Sequence, residues 1–131
     1  MLMNGSLIDT NVIVKVLRGD TGAISVLDNL GDDVYMSVIV IGELLYGANK
    51  SARSEQNRNA VREKIDLFEI LPIDSEIAEE YGKIKIELTT AGYSLPENDL
   101  WIAATARRSG LSLVTFDNHF HYVKNLNVIG L

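Results

Sequence analysis

Ser37-Val-Ile-Val-Ile-Gly-Glu-Leu-Leu-Tyr-Gly-Ala48 is the stretch on which the fold of this chain turns. From Val38 to Tyr46 every residue is apolar except Gly42 and Glu43. A helix that is hydrophobic around its whole circumference belongs in an interior. The pattern therefore predicts a buried helix with Glu43 held close to the core. Burying an ionised carboxylate costs on the order of several kcal/mol. Such a group keeps its charge beside a cation and otherwise takes up a proton. No Lys or Arg lies between Arg18 and Lys50, so the neutralising charge is either a distant side chain or a metal ion.

On the N-terminal side, Val34-Tyr-Met-Ser37 reads as a strand running into that helix, with Ser37 as its N-cap. Ser6-Leu-Ile-Asp9 reads as a short buried strand that stops at a carboxylate. Val12, Ile13, Val16 and Leu17 predict a helix over 10–18 that Gly19 ends, and Ile24, Leu27 and Leu30 a second, shorter one ended by Gly31.

On the C-terminal side, the segment from Lys50 to Phe68 starts polar and shows an apolar face only at Val61, Ile65 and Phe68. Between Lys50 and Lys64, five basic residues (Lys50, Arg53, Arg58, Arg62, Lys64) face two acidic ones (Glu55, Glu63). Glu69-Ile-Leu-Pro-Ile-Asp74 reads as a strand that Pro72 keeps from a central position, because proline cannot donate to the ladder. Ile77, Tyr81, Ile84 and Leu88 predict a long amphipathic helix ending near Gly92. Ser94 with Glu97 fits a capping box, Pro96 suits the first turn, and Gly110 ends the helix that follows. Ser112-Leu-Val-Thr-Phe116 reads as a strand ending at Asp117, with Val128-Ile129 as a final one.

Strands alternating with helices predict a three-layer α/β/α sandwich with a mainly parallel central sheet, in one domain spanning 1–131. The 131 residues suffice for a real core, and 47% hydrophobic with 23% charged residues is ordinary globular composition. The absence of cysteine excludes disulfides, thiolate metal sites and a cysteine nucleophile, and is compatible with a reducing compartment. Met-Leu-Met-Asn-Gly at the start has neither a basic nor an apolar signal region, and no apolar run is long enough to span a bilayer. A cytoplasmic location with no membrane association is expected. A net charge of −6 argues against a non-specific nucleic-acid coat while leaving room for local phosphate contacts.

In such a sheet, ligands collect beyond the carboxyl ends of the strands. Asp9 ends the first strand, Asp117 ends a late one, Asp99 falls in the first turn of a helix, and Glu43 in the second turn of the helix following a strand. All four can converge on one end of the sheet. Crowded carboxylates repel and raise one another's pKa, a penalty that a divalent cation reverses. Oxygen ligands without Cys or a convincing His pair suit Mg²⁺ or Mn²⁺ better than Zn²⁺. Each acid also has a purely structural reading. Asp9 caps the following helix, Asp99 suits a positive helix N-terminus, and Asp117-Asn118 is good turn chemistry. Glu43 resists such a reading best, short of a salt bridge to a distant Arg. His119 and His121, two residues apart on a predicted turn, are expected at the surface or on a partner. The basic run is either a solvated helix face or a surface for substrate or partner.

Leu-Ile-Asp9-Thr-Asn11, Ile-Gly-Glu43-Leu-Leu-Tyr-Gly47, Asn98-Asp99-Leu-Trp-Ile-Ala-Ala104 and Thr115-Phe-Asp117-Asn-His-Phe120 together resemble the successive acidic motifs of the PIN-domain ribonucleases, most of all the VapC toxins of toxin–antitoxin pairs. The resemblance covers essentially the whole chain, with the four motifs in the family's order. It implies that Asp9, Glu43, Asp99 and Asp117 hold Mg²⁺ or Mn²⁺, with Asp9 and Asp99 as direct ligands, Glu43 and Asp117 closing the site, and Asn11 and Thr115 in support. It further implies a homodimer, RNA hydrolysis leaving a 5′-phosphate and a 3′-hydroxyl, and a VapB-type antitoxin that places a basic residue among the acids. Lys50, Arg53, Arg58 and Arg62 are the expected contacts to RNA or antitoxin. Two other readings stay open here: a receiver-like phosphoryl-transfer domain, and a PIN-like domain acting mainly through partner binding.

Overall fold

The computed structural model describes residues 3–131, so the first two residues of the N-terminal stretch lie outside it. Strands β1 (Ser6–Ile8), β2 (Val34–Ser37), β3 (Glu69–Leu71), β4 (Ser112–Thr115) and β5 (Val128–Gly130) form one sheet in the order β3-β2-β1-β4-β5. Every neighbouring pair is parallel. Parallel neighbours need long crossovers, which the helices supply: α1 (Thr10–Leu17), α2 (Thr21–Asp28), α3 (Val38–Asn49), α4 (Ser54–Ile65), α5 (Ser75–Thr90) and α6 (Glu97–Ser109). The result is the three-layer α/β/α arrangement.

Burial follows strand position. The central strand β1 is buried throughout, and Leu7, Ile8, Met36, Leu113 and Val114 are inaccessible to solvent, as a sheet covered on both faces requires. Helices close over them with Val12, Ile13, Val40, Ile84 and Ile102. Strand β3 takes the edge that Pro72 foretells. At the start of β1, Gly5 has φ 124°, and a Cβ there would fall 2.3 Å from the Asp33 carbonyl oxygen. That position admits only glycine.

The chain runs from β1 outward to β2 and β3, then returns past β1 to β4 and β5. The reversal lies between β1 and β4, and a crevice opens there at the carboxyl ends of the strands.

Two expectations are corrected. The helix α3 is not buried all round: Val40, Leu44 and Ala48 form its buried stripe, while Val38 and Tyr46 are 39% and 67% exposed. The helix packs along one face only, and its outer face stays apolar and open, which leaves Glu43 half-buried at the boundary. The capping box before α6 does not form either. That helix starts at Glu97 with Pro96 at the cap position and no side-chain cap bond. Glu97 instead reaches α5, where Lys85 Nζ lies 2.6 Å away and the Tyr81 hydroxyl donates to it. Glu97 thus stands at the first helical position and not at the third, which a capping box requires.

Candidate active site

Asp9 follows the last residue of β1 in an extended conformation, so its side chain folds back over the first turn of α1. One oxygen accepts the Thr10 N–H at 2.8 Å as an N-cap, and the other accepts the Thr115 hydroxyl at 2.7 Å. Thr115 ends β4, and its oxygen in turn accepts the Asp117 N–H at 2.9 Å and the Asn11 amide at 3.4 Å. Asn11 Oδ1 accepts the Phe116 N–H at 3.2 Å. The expected supporting pair, Asn11 and Thr115, thus ties the end of β4 to the start of α1 and fixes Asp9 between them.

Glu43 comes to the same place from α3, where the Thr10 hydroxyl donates to its Oε1 at 2.7 Å. No Lys or Arg forms an ion pair with it among the described residues. Asp99 enters from the first turn of α6 and Asp117 from the cap of a 3-10 helix, Asn118–Tyr122. The four acids line one cavity of about 410 Å³ together with Thr10, Asn11, Val14, Lys15 and Arg18.

The electrostatics reflect this crowding. Burial pushes the Asp9 carboxyl up to about 6, against the lowering pull of the Thr115 and Thr10 bonds, and the charges of Asp99 and Glu43 add to the rise. Asp99 is also raised, first by burial and then by Glu43 and Asp117, while contact with His119 opposes the rise.

His119 corrects the expectation of a surface or partner residue. Its Nε2 lies 2.9 Å from Asp99 Oδ2 and its Nδ1 2.7 Å from Asp117 Oδ1. The 3-10 turn after β4 swings the ring inward, while His121 stays exposed. The ligand atoms of Asp99, Asp117 and His119 lie within 4.8 Å of one another, close enough for one metal ion.

The expected basic contacts divide. Lys50, at the end of α3, lines the clefts that adjoin Glu43. Arg53 precedes α4, Arg58 bonds Asn49 and Arg62 bonds Asn59, and none of the three lines the acidic cavity.

The PIN domain family matches residues 6–126. The chain belongs to the PIN-domain family. It is 34% identical over 110 residues to the ribonuclease VapC2 of Haemophilus influenzae, covering 83% of each chain. It is 29% identical over 110 residues, again 83% of each, to the tRNA(fMet)-specific endonuclease VapC of Shigella flexneri. The crystal structure of Rickettsia felis VapBC2 bound to a DNA fragment from their promoter contains a chain that superposes with a TM-score of 0.91 at 28% identity, over 98% of this chain and 99% of that one. Membership of the PIN family sets the receiver-like reading aside.

Beyond the four motif acids, this PIN domain brings Lys15 and Arg18 to the cavity and His119 against Asp99 and Asp117, and sequence reasoning missed all three in that role. The two basic residues carried a usable signal. Asn11, Lys15 and Arg18 fall at i, i+4 and i+7 and so share one face of α1. His119 carried none, because its direction depends on the 3-10 turn.

Proposed function

We propose that this chain is a metal-dependent endoribonuclease, the toxin of a type II toxin–antitoxin pair. The observation that carries the reading is the meeting of Asp9, Glu43, Asp99 and Asp117 around one cavity at the crevice of the sheet, with no Lys or Arg ion-paired to any of them among the described residues. Acids gathered this way, two of them with raised pKa values, form a donor set that fits Mg²⁺ or Mn²⁺. Asp9 and Asp99 would hold the ion directly, with Glu43 and Asp117 closing the site.

A bound divalent cation supplies an activated water and neutralises charge at a phosphodiester oxygen. The chain's own residues do the rest. Thr115 and the Thr10 N–H hold both oxygens of Asp9, so its orientation is set before substrate arrives. Thr10 engages only Oε1 of Glu43, leaving Oε2 to take the proton of the attacking water. Lys15 and Arg18 line the same cavity and are placed to meet a phosphate of the RNA strand. Attack in line leaves a 5′-phosphate and a 3′-hydroxyl.

Single-stranded or loop RNA is the substrate class, because only unstacked bases can be splayed into a cleft of this kind. A relative named as a tRNA(fMet)-specific endonuclease supports an RNA of that sort. A VapB-type antitoxin, as in the VapBC complexes of similar structure, would set a basic side chain among the acids. The open apolar face of α3, with Val38 and Tyr46, supports a homodimer. Among the described residues no helix is long and apolar enough to cross a membrane. The RNA it would cut and the antitoxin it would meet place its action in the cytoplasm.

Incubation of purified protein with labelled tRNA and loop RNAs in Mg²⁺, Mn²⁺ or EDTA tests the reading. Cleavage should need the metal and fall by about 100-fold or more in Asp9→Asn and Asp99→Asn. Cleavage that persists in EDTA, or in Asp9→Asn, contradicts it. No cleavage of any RNA, with antitoxin binding intact, favours the domain that acts through its partner alone.

A further inference from the structure

We propose that His119 is a nitrogen ligand of the metal ion in this acidic centre and biases it toward Mn²⁺ over Mg²⁺. The inference rests on the metal-dependent reading above and adds to it a donor outside the four acids.

Three observations lead there. First, the imidazole is held in place and not merely nearby. The His119 backbone N–H donates to Asp117 at 3.2 Å, and the ring leans on Phe120 with centroids 5.0 Å apart, Phe120 itself being inaccessible to solvent. Second, both ring nitrogens meet carboxylates: Nδ1 meets Asp117 at 2.7 Å and Nε2 meets Asp99 at 2.9 Å. Ionised carboxylates only accept, and a singly protonated imidazole has one N–H to give. Where a cation binds, Nδ1–H directed to Asp117 leaves the Nε2 lone pair and Asp99 Oδ2, 2.9 Å apart, as two donors that one ion can take together. Third, the arrangement matches how ligating histidines are built, one nitrogen toward the metal and the other N–H on a carboxylate that fixes ring and tautomer.

The consequence is chemical selectivity. Mg²⁺ is hard, prefers oxygen throughout and retains its waters. Imidazole suits first-row transition ions, so one nitrogen among carboxylate oxygens shifts a site that both ions can enter toward Mn²⁺.

Pulsed electron paramagnetic resonance of the Mn²⁺-loaded full-length chain, with calorimetric titration of Mn²⁺ and Mg²⁺, tests this. The wild type should show ¹⁴N modulation of a coordinated imidazole, absent in His119→Ala and His119→Gln. The ratio of Mn²⁺ to Mg²⁺ affinity should fall by about tenfold in both variants. His119→Gln retains an amide donor for Asp117, and its melting temperature in EDTA verifies the fold. Mn²⁺ bound in the wild type and lost in Asp99→Asn, but without nitrogen coupling or with an unchanged ratio in the His119 variants, overturns the inference and leaves the nuclease reading standing. Failure of the wild type to bind either ion overturns both.

Discussion

At the scale of single residues, Asp9 joins two roles that pull against each other. It caps α1 and anchors Thr115, both favourable to the fold, yet burial lifts its pKa to about 6. A carboxyl whose folded pKa is raised contributes its full stability below the unfolded value and loses it as pH rises through the folded one. In metal-free protein that window runs from about pH 4 to 6, and a shift of this size corresponds to about 3 kcal/mol. Asp9→Asn keeps the cap without the charge. It should stabilise the metal-free protein at pH 7.5 by about 1–3 kcal/mol, with the gain vanishing near pH 4, while abolishing cleavage. Thermal unfolding in EDTA across that range reads the effect; an equal gain at both ends would refute the charge argument. Thr10→Val probes the neighbouring contact. Loss of its bond to Glu43 should weaken Mn²⁺ binding by about tenfold in a calorimetric titration, with little change in melting temperature.

At the scale of elements, α5 and α6 are clamped by Arg107. Its Nε lies 2.6 Å from Glu80, and its Nη1 lies 2.8 Å from Glu87 and 3.1 Å from the Lys124 carbonyl. The Arg107 side chain is only 9% exposed and that of Glu80 15%, so Arg107→Ala strands a largely buried acid. The expected cost is about 2–4 kcal/mol in urea unfolding, with Asp99 still delivered to the cavity and cleavage at room temperature retained. The elements themselves were largely legible. Ser37 caps α3 as the sequence suggests, through a 3.1 Å bond to the Ile39 N–H, and Pro72 follows the edge strand it foretells. Local signals of that kind survive folding because their physics is local. The start of α6 was misread since the helix begins at Glu97, with Pro96 and not Ser94 at the cap position, and the burial of α3 since apolarity does not say which neighbour covers it. His119 was lost for a similar reason: a single 3-10 turn decides whether its ring faces solvent or the acids.

At the scale of the whole molecule, the charge of −6 conceals an uneven distribution. Lys15 and Arg18 stand at the rim of the acidic cavity, and Lys50 borders the clefts beside it. Each contact of a basic residue with a single-stranded phosphate contributes about 0.7 to the slope of log K against log salt. Lys15→Ala with Arg18→Ala should therefore lower that slope by about 1.4 for RNA binding in Ca²⁺; an unchanged slope would remove both from the substrate path. Convergence of the four acids was legible as an expectation from the alternation of strands and helices, because a parallel sheet leaves one edge for all its carboxyl ends. The closeness of their approach was not, since it depends on packing among α1, α3 and α6.

The bond between Thr115 and Asp9 joins residues 106 positions apart. The strand that carries Thr115 is made long after Asp9, so a nascent chain holds its first acid well before the pocket around it can close. A growing chain built on this plan cannot assemble the acidic pocket until all four of its acid-bearing segments have been synthesised.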